Sequence, residues 1–357
     1  MSGSVRGAPS RPLDEGAELA PKSSSASVGP GCGSNISFFT TCKPMKGLAG
    51  VQQRNALRSW LRIDPGNEVI VFGNDEGVAE VAAELGALHV PRIECNDFGT
   101  PLLSDMFRQA QLRARNQHVC YVNADIILTA SFQKALRRLA RKRWDFVMIG
   151  QRWDIEEEQP IDFSGPDWEE RLHKSYSATR VLSDATALDY FLFPRRMDLS
   201  LPAFAVGRPA WDNWLVMHLS GRSDVRLIDA TGTVTVYHQA HGYQHVKQRT
   251  GQAWEGPEAD RNRAVARQFS EPDSFYPHLY TVRSARWLLS PLGVVPAWTP
   301  RHLRSRLYAE YAPKLSGIRR SLALRSHLRA IIGPVWWRMK AVIKAVLRRV
   351  GTIGGHS

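Results

Sequence analysis

Hydrophobic and polar positions along the first 150 residues follow two periods in turn. Residues 36–41 form a short apolar and β-branched run, read as a first strand. Residues 51–61 carry Val51, Leu57 and Trp60 at helical spacing. Residues 68–72 form a second strand, stopped by Gly73-Asn74-Asp75-Glu76-Gly77, and residues 78–85 return to a helix. A third strand at 88–90 stops at Pro91, and 102–114 reads as helix. A fourth strand at 118–122 runs directly into Asn123-Ala124-Asp125, before a helix at 131–143 and a fifth strand at 146–149. Strand–helix alternation at this spacing predicts βαβ units, an α/β fold and a mostly parallel central sheet.

After Gly150 the regularity fades. Residues 151–250 are rich in Trp, Asp and His, with short strands at 188–193 and 233–238. From about Ser284 the chain becomes basic and helical. Residues 1–34 are rich in Gly, Ser and Pro and lack an apolar core segment, so disorder is expected and a secretory signal is not. The expected organisation is a disordered segment 1–34, a catalytic domain 35–283 with halves 35–150 and 151–283, and a basic amphipathic tail 284–357.

The formal net charge is +13, and residues 301–357 hold 13 Lys and Arg against one acid, Glu310. The rest of the chain is therefore almost neutral, and the excess marks an anionic partner for the tail. In residues 334–350, Val335, Trp336, Met339, Val342, Ile343, Val346, Leu347 and Val350 share one face, and Lys340, Lys344 and Arg348 lie opposite. That pattern predicts a helix lying in an anionic membrane surface. Nucleic acid explains the charge but not the apolar face. No apolar stretch reaches the roughly 20 residues of a spanning helix. The nearest, 287–298, is broken by Pro291 and Pro296. The four cysteines form no CxxC pair, which argues against a zinc site and for a reducing compartment. The expected location is cytoplasmic, peripheral at the inner face of the membrane.

Ligands of open α/β sheets bind beyond the carboxyl ends of the strands. Polar residues cluster at those ends here: Thr40-Thr41, Asn74-Asp75 and Asn123 to Asp125. A divalent cation bridging two phosphates needs only one or two protein carboxylates. Asp125 is the candidate ligand, with Asn123 placed for a ribose or a metal-bound water. The competing role for Asp125 is capping the next helix. In Trp211-Asp212-Asn213-Trp214 the indoles are candidate sugar platforms and Asp212 a candidate general base. The alternative is a surface acid beside core aromatics. In Val236-Tyr237-His238-Gln239-Ala240-His241, a strand ends in two histidines, either of which is a candidate metal ligand or a structural residue. Arg54 is a candidate phosphate contact, Gly99-Thr100 a candidate anion-binding turn before a helix, and Trp153-Asp154 a candidate acceptor contact.

These constellations together resemble the GT-A glycosyltransferases over roughly residues 36–243. Gln53-Arg54-Asn55-Ala56, Phe98-Gly99-Thr100-Pro101-Leu102, Val122-Asn123-Ala124-Asp125 and Trp211-Asp212-Asn213-Trp214 are also similar to bacterial and plant nucleotide-diphospho-sugar transferase homologues. The resemblance implies a Rossmann-like sheet whose 35–150 half binds the nucleotide and whose 151–283 half binds the acceptor. It places Asn123-Ala124-Asp125 at the DxD motif, Asp212 as the base of an inverting reaction, His238 as the further metal ligand with His241 as rival, and Asp75 at the nucleobase. It implies Mn²⁺ or Mg²⁺, a nucleotide-diphosphate sugar donor and a glycan or lipid-linked acceptor. Asn123 departs from the motif and removes one negative charge. A retaining reaction is the nearest rival. A nucleotidyltransferase would show a Gly-rich, Arg- and Lys-bearing loop where this chain has Thr40-Thr41-Cys42-Lys43-Pro44. A non-catalytic sugar-nucleotide or glycan-binding relative is the third alternative.

Overall fold

The computed structural model describes residues 33–240, 255–270 and 279–311. Residues 1–32 of the segment expected to be disordered, the histidine His241 and the amphipathic stretch 334–350 lie outside the described residues. In chain order the strands are β1 (Ile36–Thr41), β2 (Glu68–Phe72), β3 (Leu88–Val90), β4 (His118–Val122), β5 (Ile126–Leu128), β6 (Asp145–Ile149), β7 (Trp153–Ile155), β8 (Val181–Leu182), β9 (Tyr190–Pro194), β10 (Val225–Asp229), β11 (Val236–Gln239), β12 (Trp287–Ser290) and β13 (Gly293–Pro296). The helices are α1 (Gly47–Arg62), α2 (Val78–Leu85), α3 (Leu103–Arg113), α4 (Ala130–Leu139), α5 (Trp168–Tyr176), α6 (Trp211–Gly221), α7 (Pro257–Gln268) and α8 (Pro300–Tyr311).

Nine strands form one sheet in the order β3-β2-β1-β4-β9-β6-β10-β12-β13. Neighbours are parallel except where β9 runs against β4 and β6 and where β13 folds back on β12. The central strands are buried on both faces, which is why they read as unbroken apolar runs. Alternate residues serve opposite cores. Phe39, Phe72 and Tyr121 pack with α3 and α6 through Phe107 and Trp211. Phe38, Val69 and Cys120 pack with α1 and α4 through Trp60 and Phe132. Tyr121 therefore faces the α6 side.

A second sheet, β5-β11-β7-β8, stands at the carboxyl end of β4. Its register sets His238 opposite Ile126 on one side and opposite Asp154 on the other. Gln239 fastens this sheet to α1: its amide donates to the Gln52 carbonyl at 2.8 Å, and its Oε1 accepts from Asn55 at 2.9 Å. Residues 126–128 and 153–155, too short to register as period-2 runs, exist as strands because each completes this four-stranded unit.

The basic tail was expected from 284, but residues 287–311 belong to the folded body. β12 extends the main sheet beside β10, β13 closes its edge, and α8 follows. Leu289 and Ala297 are buried there, which the surrounding arginines conceal in a charge count. Among the described residues no helix is long and apolar enough to cross a membrane.

Gly50 shows what positions α1. A Cβ there would lie 2.6 Å from the Met45 carbonyl carbon, in the loop that follows β1. Helix propensity alone says Ala should stabilise this position by about 1 kcal/mol. We expect the opposite sign, a loss of about 1–3 kcal/mol from overpacking against backbone, measured for Gly50→Ala by urea denaturation.

Candidate active site

β4 ends in a chain of alternating charges. The Tyr121 hydroxyl donates to Asn123 Oδ1 at 2.8 Å, and Asn123 Nδ2 donates to Asp189 Oδ1 at 2.9 Å. Arg152 Nη1 donates to the same Asp189 oxygen at 2.5 Å, and its Nε to Asp154 Oδ1 at 2.9 Å. Asp154 Oδ1 in turn meets His238 Nδ1 at 3.0 Å, and His238 Nε2 faces Asp125 Oδ2 at 3.6 Å. The small sheet makes this possible by laying residues 125, 154 and 238 side by side. Burial works against a charged His238, but hydrogen bonds to Asp125 and Asp154 outweigh it and raise its pKa to about 9.

Asp212 reaches the same region from α6. Ala210, immediately before the helix, holds φ at 84°, a left-handed conformation that a non-glycine residue adopts only under constraint. Trp211 supplies the constraint, packing edge-on to Tyr121 with ring centroids 5.1 Å apart and against Phe191 at 5.4 Å. Burial pushes the Asp212 carboxyl up to about 7, against the hydrogen bond from the Asn213 amide, and the Asp189 charge adds to the rise. Its place in the first helical turn favours the ionised form and keeps the carboxyl within reach of neutral pH. The Tyr121 phenol is pushed up by burial and then by the charges of Asp125, Asp189 and Asp212.

The other expected residues divide. Thr40 and Thr41 end β1, and Thr41 and Asp75 both flank Gly73. Asp75 and Asp125 act on one thiol, Cys42, which burial raises to about 12 with their help, so Asp75 belongs to this neighbourhood. Arg54 does not join it: its guanidinium pairs with Glu84 of α2 at 3.7 Å. An α1 residue one step from buried Gln53 and Asn55 is turned outward by the helical period. Gly99 and Thr100 sit in a loop tied to Asn96 Oδ1, and Asn96 Nδ2 donates to Glu258 of α7 at 2.7 Å. Trp153 lies beneath the Arg180 guanidinium at 4.5 Å, partly exposed. Trp211 and Trp214 are not platforms. They are 5% and 2% exposed, and Trp214 stacks on the half-buried His218. Their spacing puts both on the buried face of α6.

Sequence reasoning missed Asp189, Arg152 and Tyr121. The available signal for Asp189 was a lone acid directly before the all-apolar strand 190–194. Arg152 carried none, because its meaning depends on two partners distant in sequence.

The donor set fits a divalent cation. Asp125 Oδ2 and His238 Nε2 converge, and Asp154 holds the far ring nitrogen as carboxylates hold metal-binding imidazoles. Two protein ligands suit a hard ion whose remaining shell comes from phosphate and water. Among the described residues no group of three or more His, Cys, Asp or Glu could hold a metal unaided.

No family model matches the chain, and no curated protein matches it in sequence. Solved structures do resemble it in part. A glucosyl-3-phosphoglycerate synthase from Mycobacterium tuberculosis, in complex with Mg²⁺ and uridine diphosphate, is 12% identical, with 66% of this chain and 78% of that one covered and a TM-score of 0.38. A mannosyltransferase from Pyrobaculum calidifontis, in complex with GDP-Man and Mn²⁺, is 14% identical over 89% and 86% of the two chains, with a TM-score of 0.37.

The Asn123 amide is the donor that Asp189 requires. Asn123→Asp would set two carboxylates against each other. We expect it to destabilise the fold by about 1–3 kcal/mol at pH 8. The introduced acid has a raised folded pKa, so the loss should shrink as pH falls toward 5 and one carboxyl takes a proton. Urea denaturation at the two pH values measures it.

Proposed function

We propose that this protein is a GT-A-type glycosyltransferase that moves a sugar from a nucleotide diphosphate to an acceptor hydroxyl. The observation that carries the reading is the convergence of a carboxylate–imidazole pair, Asp125 and His238, with a carboxyl titrating near neutrality, Asp212, around the end of β4. Asp125 Oδ2 and His238 Nε2 would hold Mn²⁺ or Mg²⁺. When bound, such an ion stabilises charge on the departing nucleotide diphosphate. Asp75, with Thr40 and Thr41, would border the nucleoside.

Asp212 accepts the proton of the acceptor hydroxyl, whose oxygen then displaces the diphosphate with inversion. With its pKa raised to about 7, its ionised, competent share falls as the pH drops below that value. Asp189 Oδ2 is buried with no hydrogen-bond partner among the described residues, which supports a role in accepting from a ligand hydroxyl. Trp153 and Asp154, beside the proposed cation and partly exposed, are the acceptor-side contacts on this reading. A glycan or lipid-linked acceptor fits the reading.

Three outcomes test it. Asp125→Ala should abolish the Mn²⁺-dependent part of UDP or GDP binding while the protein stays folded; calorimetry showing unchanged affinity overturns the metal assignment. Asp212→Asn should keep donor binding and lower transfer by about 10²-fold or more. In the parent, transfer should fall about tenfold per pH unit below pH 7, and a flat profile from pH 5 to 8 removes Asp212 as base.

A further inference from the structure

The far edge of the main sheet carries features that the proposed reaction does not use. Leu292, at the turn between β12 and β13, is 97% exposed, and Trp298, just beyond β13, is 68% exposed. They stand at the two ends of a β13 segment whose length is about 20 Å at strand rise. Val295 is exposed between them. This edge is firmly built: Arg138 Nη2 donates to the carbonyls of Ser290 and Pro291, and Arg306 of α8 to the Ala285 and Ala297 carbonyls at 3.3 and 3.1 Å.

Its charge is one-sided. Residues 274–309 contain no Asp or Glu. Arg286, Arg301 and Arg304 are exposed and have no carboxylate partner among the described residues. Burial and then the Arg286 charge hold the Arg306 guanidinium below its usual range, so two cations sit close together unneutralised. Residues 312–357 continue from α8 with ten Lys and Arg and no acid.

We infer that the β12–β13 edge and the start of α8 form a docking surface for an anionic membrane, with Leu292 and Trp298 inserting and Arg286, Arg301 and Arg304 meeting lipid phosphates. Exposed apolar anchors rimmed by cations are what an anionic interface rewards, and neither feature suffices alone. A second copy fits poorly. A two-fold contact would bring the same arginines face to face, and Pro296 removes a donor from the free edge of β13. An acidic protein would satisfy the arginines but gives no reason for a protruding leucine at a turn. The inference is independent of the proposed transfer reaction.

The test is co-sedimentation of the full chain with phosphatidylcholine vesicles with and without phosphatidylglycerol. The parent should partition onto anionic vesicles and hardly onto neutral ones. The L292E/W298E variant should bind anionic vesicles at least about tenfold more weakly. R301E/R304E should show a comparable loss and a flatter salt dependence. Leu112→Glu, an equally exposed apolar site on α3, should behave as the parent. Circular dichroism confirms that each variant is folded. Binding of L292E/W298E within twofold of the parent, absence of any preference for anionic lipid, or a parent that dimerises in sedimentation velocity where L292E/W298E is monomeric would each overturn the proposal.

Discussion

The structure around β4 depends on one constraint: Arg152 and His238 can be buried only between carboxylates. Asp189, Arg152, Asp154, His238 and Asp125 satisfy it in series, each link within hydrogen-bond or ion-pair reach of the next. Removing Arg152 or His238 would leave carboxylates without their cation, at a cost reduced by the partial exposure of Arg152, Asp154 and Asp125. Asn123 is part of the same solution. Arg152 and the Asn123 amide both donate to Asp189 Oδ1, so the second donor there is neutral, and the same amide accepts from Tyr121. The amide at 123 therefore answers to the neighbouring acid.

The presentation of Asp212 follows from packing, not from charge. Trp211 is gripped by Tyr121 and Phe191, and this fixes where α6 begins. The chain then has to enter through a left-handed Ala210. α7 holds the approach: Asn262 bonds both the amide and the carbonyl of Ala205, and Glu258 pairs with Arg208 at 2.5 Å. Burial of a few kcal/mol of aromatic surface is enough to offset strain of about 1–3 kcal/mol at one residue. A carboxyl held this way keeps its position when its protonation changes.

Much of this was legible in the sequence because it is periodic. The early strands lie where their apolar runs lie, and the bounds of β1, β2, α2, β3 and β4 coincide with them. Asp125, Asp212 and His238 stood out because each follows or begins an element with a strong period. Asp189 and Arg152 did not, because their role comes from β9 pairing with β4 and β7 pairing with β11, contacts that no local pattern encodes. Trp211 and Trp214 misled for a related reason. An acid between two tryptophans suggests a sugar platform, yet positions 211, 214 and 215 share one helical face, and that face is core. The short strand of residues 287–290 was hidden by the charge of its surroundings, since counting arginines says nothing about which side of a strand they occupy.

The charge balance of the site bears on what it can bind. Asp75, Asp125, Asp154, Asp189 and Asp212 gather at the strand ends, while Arg152 and a protonated His238 are the cations interleaved with them. Both cations are already committed to carboxylates. A diphosphate entering this region meets a negative field, and Arg54, the one arginine expected to offset it, is turned toward α2. Repulsion between unit charges at 4 Å is about 4 kcal/mol at an effective dielectric of 20, too much for hydrogen bonds alone to overcome several times over. On the proposed reading, a divalent cation is thus less an addition to the site than the condition for an anionic donor to enter it. The same field explains why His238 stays protonated without one: the imidazolium is the positive charge that Asp125 and Asp154 would otherwise lack.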